Sequence, residues 1–179
     1  MKILKWIGIV LGSLIGLIVI IAVGVYLSVE MRLNKTYDVP AETIAIPSDA
    51  PALARGKHWA TVYCSDCHGA NLGGNVMFED PSLGRIAAPN LTAGKGGMSG
   101  AHTDADWVRA IRHGVGQDRK PLAVMPAGDF YNLSDGDLGD IIAYVKSVPS
   151  VDNNPGTKNF TFFGHVLIAM GAFGDVISA

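Results

Sequence analysis

Two cysteines in 179 residues are too few for a disulfide framework, so the fold must hold itself together by other means. Charge is also scarce. At 17% the charged fraction falls below the roughly 25% of ordinary soluble chains, and the net formal charge is only −2. With no long basic run, there is no electrostatic footprint for nucleic acid. Internal repeats and convincing strand-length alternation are lacking too, which points to an all-α chain. What is abundant is apolar surface and glycine: 49% of residues are hydrophobic and 22 are Gly. This describes one modest domain with an added apolar element.

That element lies at the amino end. Ile7 to Leu27, IGIVLGSLIGLIVIIAVGVYL, carries no charge and as a helix would span roughly the 30 Å of a bilayer core. Gly8, Gly12, Gly16 and Gly24 line one face, where another helix could approach closely. A cleaved signal peptide competes with this reading, since Lys2 and Lys5 make a positive start and Ala22-Val23-Gly24 resembles a cleavage site. We expect an uncleaved transmembrane anchor over 1–29. Flanking positives do not set its orientation, because Arg32 and Lys35 balance Lys2 and Lys5.

Residues 30–48 contain Pro40 and Pro47 and show no sustained period. They read as an extended tether, able at full stretch to reach on the order of 60 Å, and more consistent with lying along a partner or the domain. Three helical patterns follow. Asp49 to Tyr63 carries a stripe of Leu53, Gly56, Trp59, Ala60 and Tyr63. Thr103 and Asp106 open a run with Trp107, Ala110 and Ile111 that Gly114 stops, and Ser134 and Asp137 open another through Leu138, Ile141, Ile142 and Val145 to Ser147. Residues 69–101 hold eight glycines and little periodicity. A loop that long in a compact domain is usually functional or wrapped around something.

Cys64-Ser65-Asp66-Cys67-His68 is C-x-x-C-H, in which two thiols form thioethers to haem vinyl groups and the adjacent imidazole reaches the iron. A thioredoxin-like pair would need a βαβ setting, and a zinc site would need further Cys or His at matched spacing. For the second axial ligand, Met125 stands before Pro126 in a loop between two helices, where it can cover the open haem face. Met77, Met98 and Met170 are alternatives, as are His58, His102, His113 and His165.

GKHWATVYCSDCHGANLGG, APNLT, TDADWVRAIRHGV and VMPAGDFYNLSDGDLGDIIAYVKSVP together resemble class I cytochrome c. They are similar in particular to the membrane-associated cytochrome c domains of dehydrogenases and of respiratory complexes such as alternative complex III. The resemblance covers about Pro51 to Pro149. It implies an all-α cytochrome c domain over 49–150 with long haem-wrapping loops, and one covalent haem c on Cys64 and Cys67. His68 and Met125 would then be axial ligands, and the first and third helices would cross with Gly56 admitting Tyr144. One departure is Ala60, where an aromatic usually stands, with Trp59 beside it. By the same resemblance the Pro89 carbonyl is the acceptor for the second ring nitrogen of His68. Trp107, Arg109 and Arg112 are candidate donors to haem propionates.

Iron held by His and Met keeps no open position, so the expected role is single-electron transfer and not catalysis on a substrate. The resemblance places the haem domain on the periplasmic side of the cytoplasmic membrane, amino terminus inside. Without Lys2 and Lys5, 12 basic residues face 16 acidic ones, which disfavours docking through a broad basic face. Arg109, Arg112, Arg119 and Lys120 make one local basic cluster. The tail, 151–179, contains FTFFGHVLIAMGAFGDVI, too short and too interrupted to span. We expect it to dock on a partner subunit or the membrane surface. The partners implied are membrane lipid and other subunits of an electron-transfer complex, either a respiratory or photosynthetic assembly or a periplasmic dehydrogenase.

Overall fold

A computed structural model of the chain describes residues 2–40 and 42–174; the last five residues of the expected tail, Asp175 among them, lie outside the described residues. Helix α1 runs from Lys2 to Asn34 as one 33-residue rod, long and apolar enough to cross a membrane. It continues past the apolar run because residues 28–34 hold no helix breaker and Val29 and Leu33 find packing partners. The end is held locally: the Asn34 amide donates to the Glu30 carbonyl (3.0 Å) and carboxylate (2.9 Å). Among the described residues no atom comes within 4 Å of a Cβ built on Gly8, Gly12, Gly16 or Gly24, so that face meets none of them.

Five helices frame the domain: α2 (Ala50–Tyr63), α3 (Ser65–His68), α4 (Asp104–His113), α5 (Ala127–Phe130) and α6 (Asp135–Ser147). The three long ones begin where side chains take up orphan N–H groups. Asp49 accepts from the Ala52 amide, Thr103 and Asp106 form a reciprocal capping box, and Ser134 accepts from the Asp137 amide. Gly114 ends α4 in the left-handed conformation at φ 68°, which glycine adopts without penalty.

Helices α2 and α6 cross at Gly56. A Cβ there would lie 1.9 Å from the Asp140 carbonyl oxygen and 2.9 Å from the Cβ of Tyr144, so only hydrogen fits between the two backbones. Around the crossing, Arg55 grips the buried Asp140 carboxylate (Nε to Oδ2, 2.6 Å). The Trp59 indole donates to Asp137 (3.2 Å) and its ring stacks on Tyr63 at 5.5 Å. Ala60 is buried, and Trp59, one position earlier on α2, packs against the main core. The main core gathers Leu72, Leu91, Trp107, Val108, Ile111, Phe130, Leu138 and Ile142.

The all-α expectation needs correction. Strands β1 (Asn75–Asp80), β2 (Gly84–Ala88) and β3 (Asn159–Phe160) form a small antiparallel sheet in the order β1-β2-β3. Alternation could not announce it, because five of the six β1 residues are exposed and the sixth is half-buried. The local signal was the turn: Asp80 accepts from the backbone of Ser82 (2.7 Å) and Leu83 (3.2 Å), and Gly84 sits at φ 108°.

Residues 35–40 and 42–48 lie along the domain. The Tyr37 amide donates to the Arg119 carbonyl, Arg119 pairs with Asp38 at 3.2 Å, and Glu42 receives both Arg112 and His113. Ile44 and Ile46 pack on the main core. The tail returns to the anchor: in helix α7 (Phe162–Ala169) the buried Ile168 meets Val29, and Phe160 and Phe173 complete that second cluster.

Gly56→Ala should lower the denaturation midpoint by the equivalent of about 1–3 kcal/mol, because a methyl group cannot enter the crossing without separating the helices. Equilibrium unfolding in guanidinium checks this. A second prediction concerns acid. Burial alone would raise the Asp106 carboxyl, but hydrogen bonds from Thr103 and Arg109 outweigh it and hold the group down at about 2. Its stabilising contribution is therefore complete above the ordinary carboxylate range and is lost as pH falls toward that value. Asp106→Asn should be less stable than wild type at neutral pH, and the two unfolding curves should converge near pH 2.

Candidate functional site

Helix α2 ends at Cys64, whose amide still donates to the Ala60 carbonyl, and α3 follows at once with the His68 amide on the Cys64 carbonyl (2.9 Å). Cys64, Cys67 and His68 occupy positions i, i+3 and i+4 of this turn, which brings the three side chains to one face. Gly69, at φ 80°, then turns the chain away. Neither cysteine is in a disulfide. Burial pushes the Cys64 thiol up to about 11, helped by Cys67, and burial followed by Asp66 raises Cys67 as well. Both are neutral thiols and not the activated thiolates of a redox pair.

His68 Nδ1–H donates to the Pro89 carbonyl at 2.8 Å. Burial lowers the affinity of the ring for a second proton, against a smaller opposing effect of that bond. The imidazole is thus neutral, with Nδ1 occupied and the Nε2 lone pair free for a metal. The carbonyl is itself held. Asn90, fully buried, donates to the Val151 (2.6 Å) and Asn153 (3.1 Å) carbonyls and accepts from the Thr92 amide (2.9 Å). Gly74, at φ 84°, lets the chain after α3 pass so close that a Cβ would lie 2.7 Å from the Asn90 nitrogen. Asn90 was missed as a positioning residue in the sequence, although it follows Pro89 directly in APNLT; its partners are some 60 residues away.

Met125 is half-buried and packs against the main core, as do Cys64 and Met98. The turn behind Met125 is tied by the Ala127 amide on its carbonyl (2.8 Å). Of the other candidate ligands, Met77 and Met170 are exposed, and His58 is exposed beside Trp59. His102 bonds to the Met98 carbonyl, His113 to Glu42, and His165 to Glu30. Among the described residues no group of three or more His, Cys, Asp or Glu gathers in a metal-binding cluster.

Trp107, Arg109 and Arg112 are all buried on α4, and among the described residues Trp107 Nε1, Arg109 Nε and Arg112 Nε have no acceptor. Buried donors are nearly always satisfied, so these three mark where acceptors of another molecule belong. Arg109 also pairs with Asp106 (2.8 Å), while the terminal nitrogens of Arg112 go to Glu42, Asp135 and the Leu133 carbonyl. The expected basic cluster is therefore not a surface patch: Arg109 and Arg112 are buried and carboxylate-paired, and Arg119 pairs with Asp38. Charge complementarity consumes these three arginines, while Lys120 donates to Asn34 instead.

A neutral imidazole backed by a carbonyl, two thiols on its own turn and buried donors without acceptors fit a covalently attached haem with its propionates. The cytochrome c family pattern matches residues 53–149, more than half of the chain. The chain belongs to the cytochrome c family. It is also 28% identical over 126 residues to the fructose dehydrogenase cytochrome subunit of Gluconobacter japonicus, covering 66% of this chain and 26% of that protein. This cytochrome spans about a quarter of the length of that relative. Family membership implies haem c held through Cys64 and Cys67, and with it an electron-transfer role.

Asn90→Ala should cost the cytochrome about 1–3 kcal/mol, since it removes the buried donor to the Val151 and Asn153 carbonyls and the acceptor of the Thr92 amide. The denaturation midpoint of the purified protein measures the loss.

Proposed function

We propose that this chain is a membrane-anchored c-type cytochrome with a single haem that passes electrons one at a time inside a larger membrane complex. The observation that carries the reading is the His68–Pro89 hydrogen bond beside the two thiols, which prepares one imidazole nitrogen to ligate iron. The presence of one C-x-x-C-H motif supports one haem. Haem c, when bound, supplies reversible one-electron exchange between ferric and ferrous iron.

The chain's own residues do the rest. Pro89 fixes the plane and tautomer of His68, and Met125, carried by a short turn packed on the core, would supply the sulfur ligand to the iron. Trp107 and Arg109 would donate to the haem propionates, and Arg112 would contribute its Nε–H while its other nitrogens clamp Glu42 and Asp135. Helix α1 spans the cytoplasmic membrane with the amino terminus inside, and the haem domain works on the periplasmic side.

The partner complex has two readings. A respiratory or photosynthetic assembly is the first. The second, an electron-accepting subunit of a periplasmic dehydrogenase, draws support from the relative, which is named as the cytochrome subunit of fructose dehydrogenase. Gentle detergent extraction separates them: co-purification with a sugar- or alcohol-oxidising flavin or quinone-cofactor subunit selects the second, and a quinol-oxidising or oxidase assembly the first.

Met125→Ala should abolish the weak absorption band of methionine bound to ferric haem and lower the reduction potential, with the covalent mass increase of haem unchanged. An unaltered band transfers the ligand role to Met98, the other methionine on the core.

A further inference from the structure

A cavity of about 410 Å³ opens where α1, the turn at 118–121 and the β3–α7 segment meet. It is not used by the haem site. Tyr26, Leu33 and Phe160 form apolar wall, and Glu30, Lys120 and Lys158 bring charge to the same space. Its level along α1 is set by the sequence: the uncharged run stops at Leu27, and Glu30 stands about 4.5 Å beyond it by helical rise. The cavity therefore sits where the headgroups of a surrounding bilayer would begin, with Tyr26 at the depth favoured by interfacial aromatics.

The charges in the wall can be assigned. His165 is buried, with Nδ1 2.8 Å from the Thr161 carbonyl and Nε2 2.9 Å from a Glu30 carboxylate oxygen. The Glu30 carboxylate is thus engaged by His165. The other charged groups of the wall are Lys120, Lys158 and Asp118. Among the described residues neither lysine has a carboxylate within ion-pair distance. Lys120 Nζ donates to Asn34 Oδ1 (3.1 Å), and Lys158 Nζ to the carbonyls of Leu122 (2.7 Å) and Pro121 (3.4 Å), which leaves each ammonium with hydrogens to give. Beside the cavity, α7 and the residue after it expose Phe162 (48%), Phe163 (53%) and Met170 (76%), apolar surface that continues from the anchor.

We propose that this cavity is a binding site for one membrane phospholipid, its phosphate held by Lys120 and Lys158 and its acyl chains running along α1. The inference rests on the reading of α1 as a transmembrane anchor. Because Lys158 also holds the Leu122 carbonyl, three residues before Met125, an occupied site braces the base of the loop that carries the proposed sulfur ligand.

The test uses the full-length haem-loaded protein, stripped of lipid in detergent, incubated with phosphatidylglycerol and weighed by native mass spectrometry. Wild type should retain one lipid per chain. Lys120→Gln and Lys158→Gln should each weaken retention about tenfold, the ratio expected from losing one charge-assisted hydrogen bond. Asp118→Asn should retain the lipid at least as well as wild type, and so should Lys57→Gln, on the far-off helix α2. Glutamine at 158 can still donate to Leu122, and an unchanged haem spectrum confirms that each variant is folded. Equal retention by wild type and the Lys120→Gln/Lys158→Gln double variant overturns the site. So does complete displacement of the lipid by millimolar inorganic phosphate, which would make the cavity a site for the free ion. If carbonate washing releases the chain from membranes, the anchor reading fails and takes this one with it; retention in the membrane without a bound lipid removes the lipid site alone.

Discussion

The hydrogen bond from His68 Nδ1 to the Pro89 carbonyl is the constraint on which the site depends. An imidazole can turn about two side-chain bonds and hold its proton on either nitrogen, and a metal ligand must do neither. One carbonyl at 2.8 Å removes both freedoms. It does so only because the carbonyl cannot move, and that immobility is built from Asn90, whose side chain reaches the backbone of 151–153 and ties the glycine-rich loop to the segment after α6. The glycines serve this closeness. At Gly74 a side chain would push the chain after the His68 turn away from the Pro89–Asn90 backbone, and at Gly94 a Cβ would stand 2.2 Å from the Val151 carbonyl oxygen.

The same logic of backbone approach governs the helices. The α2–α6 crossing fixes where Cys64 emerges, since α2 ends at that residue and cannot rotate while Gly56 is seated against Asp140. Attachment chemistry at Cys64 and Cys67 thus inherits its position from a contact two turns upstream. Arg55 and Trp59 reinforce the contact with the buried carboxylate of Asp140 and with Asp137. Their geometry shows how the chain accommodates Ala60: Trp59, one residue earlier, reaches α6 through its indole N–H while its ring stacks on Tyr63 along α2.

Much of this was legible in the residues, and the reason is locality. Asp49, Thr103 and Ser134 cap their helices through bonds spanning three residues, and C-x-x-C-H acts within a single turn. What was not legible depends on distant pairs or on surface that shows no contrast. The three-stranded sheet lies outside the core, so its outer strand has no alternation to read. The pairing of Arg112 with Glu42 and of His165 with Glu30 crosses 70 and 135 residues, so a basic cluster and a lone histidine looked available when they are not. The end of α1 was placed too early because its last turns are polar; the packing of Val29 and Leu33 against the returning tail could not be read locally.

These long-range pairs change how the haem domain sits on its anchor. A free tether over 35–48 would leave the domain swinging through a large volume, at a distance set by chain statistics. Here the segment is bonded at Tyr37, Asp38 and Glu42 and packed at Ile44 and Ile46, while α7 comes back to α1 through Ile168 and His165. Two connections from opposite ends of the domain converge on the last turns of one helix, and two attachments restrict rotation in a way that a single one does not. Electron transfer depends steeply on the distance between donor and acceptor. A domain fixed to its anchor in this manner trades reach for a constant distance, which suits exchange with a neighbour seated in the same membrane complex better than with a partner that must be found by diffusion.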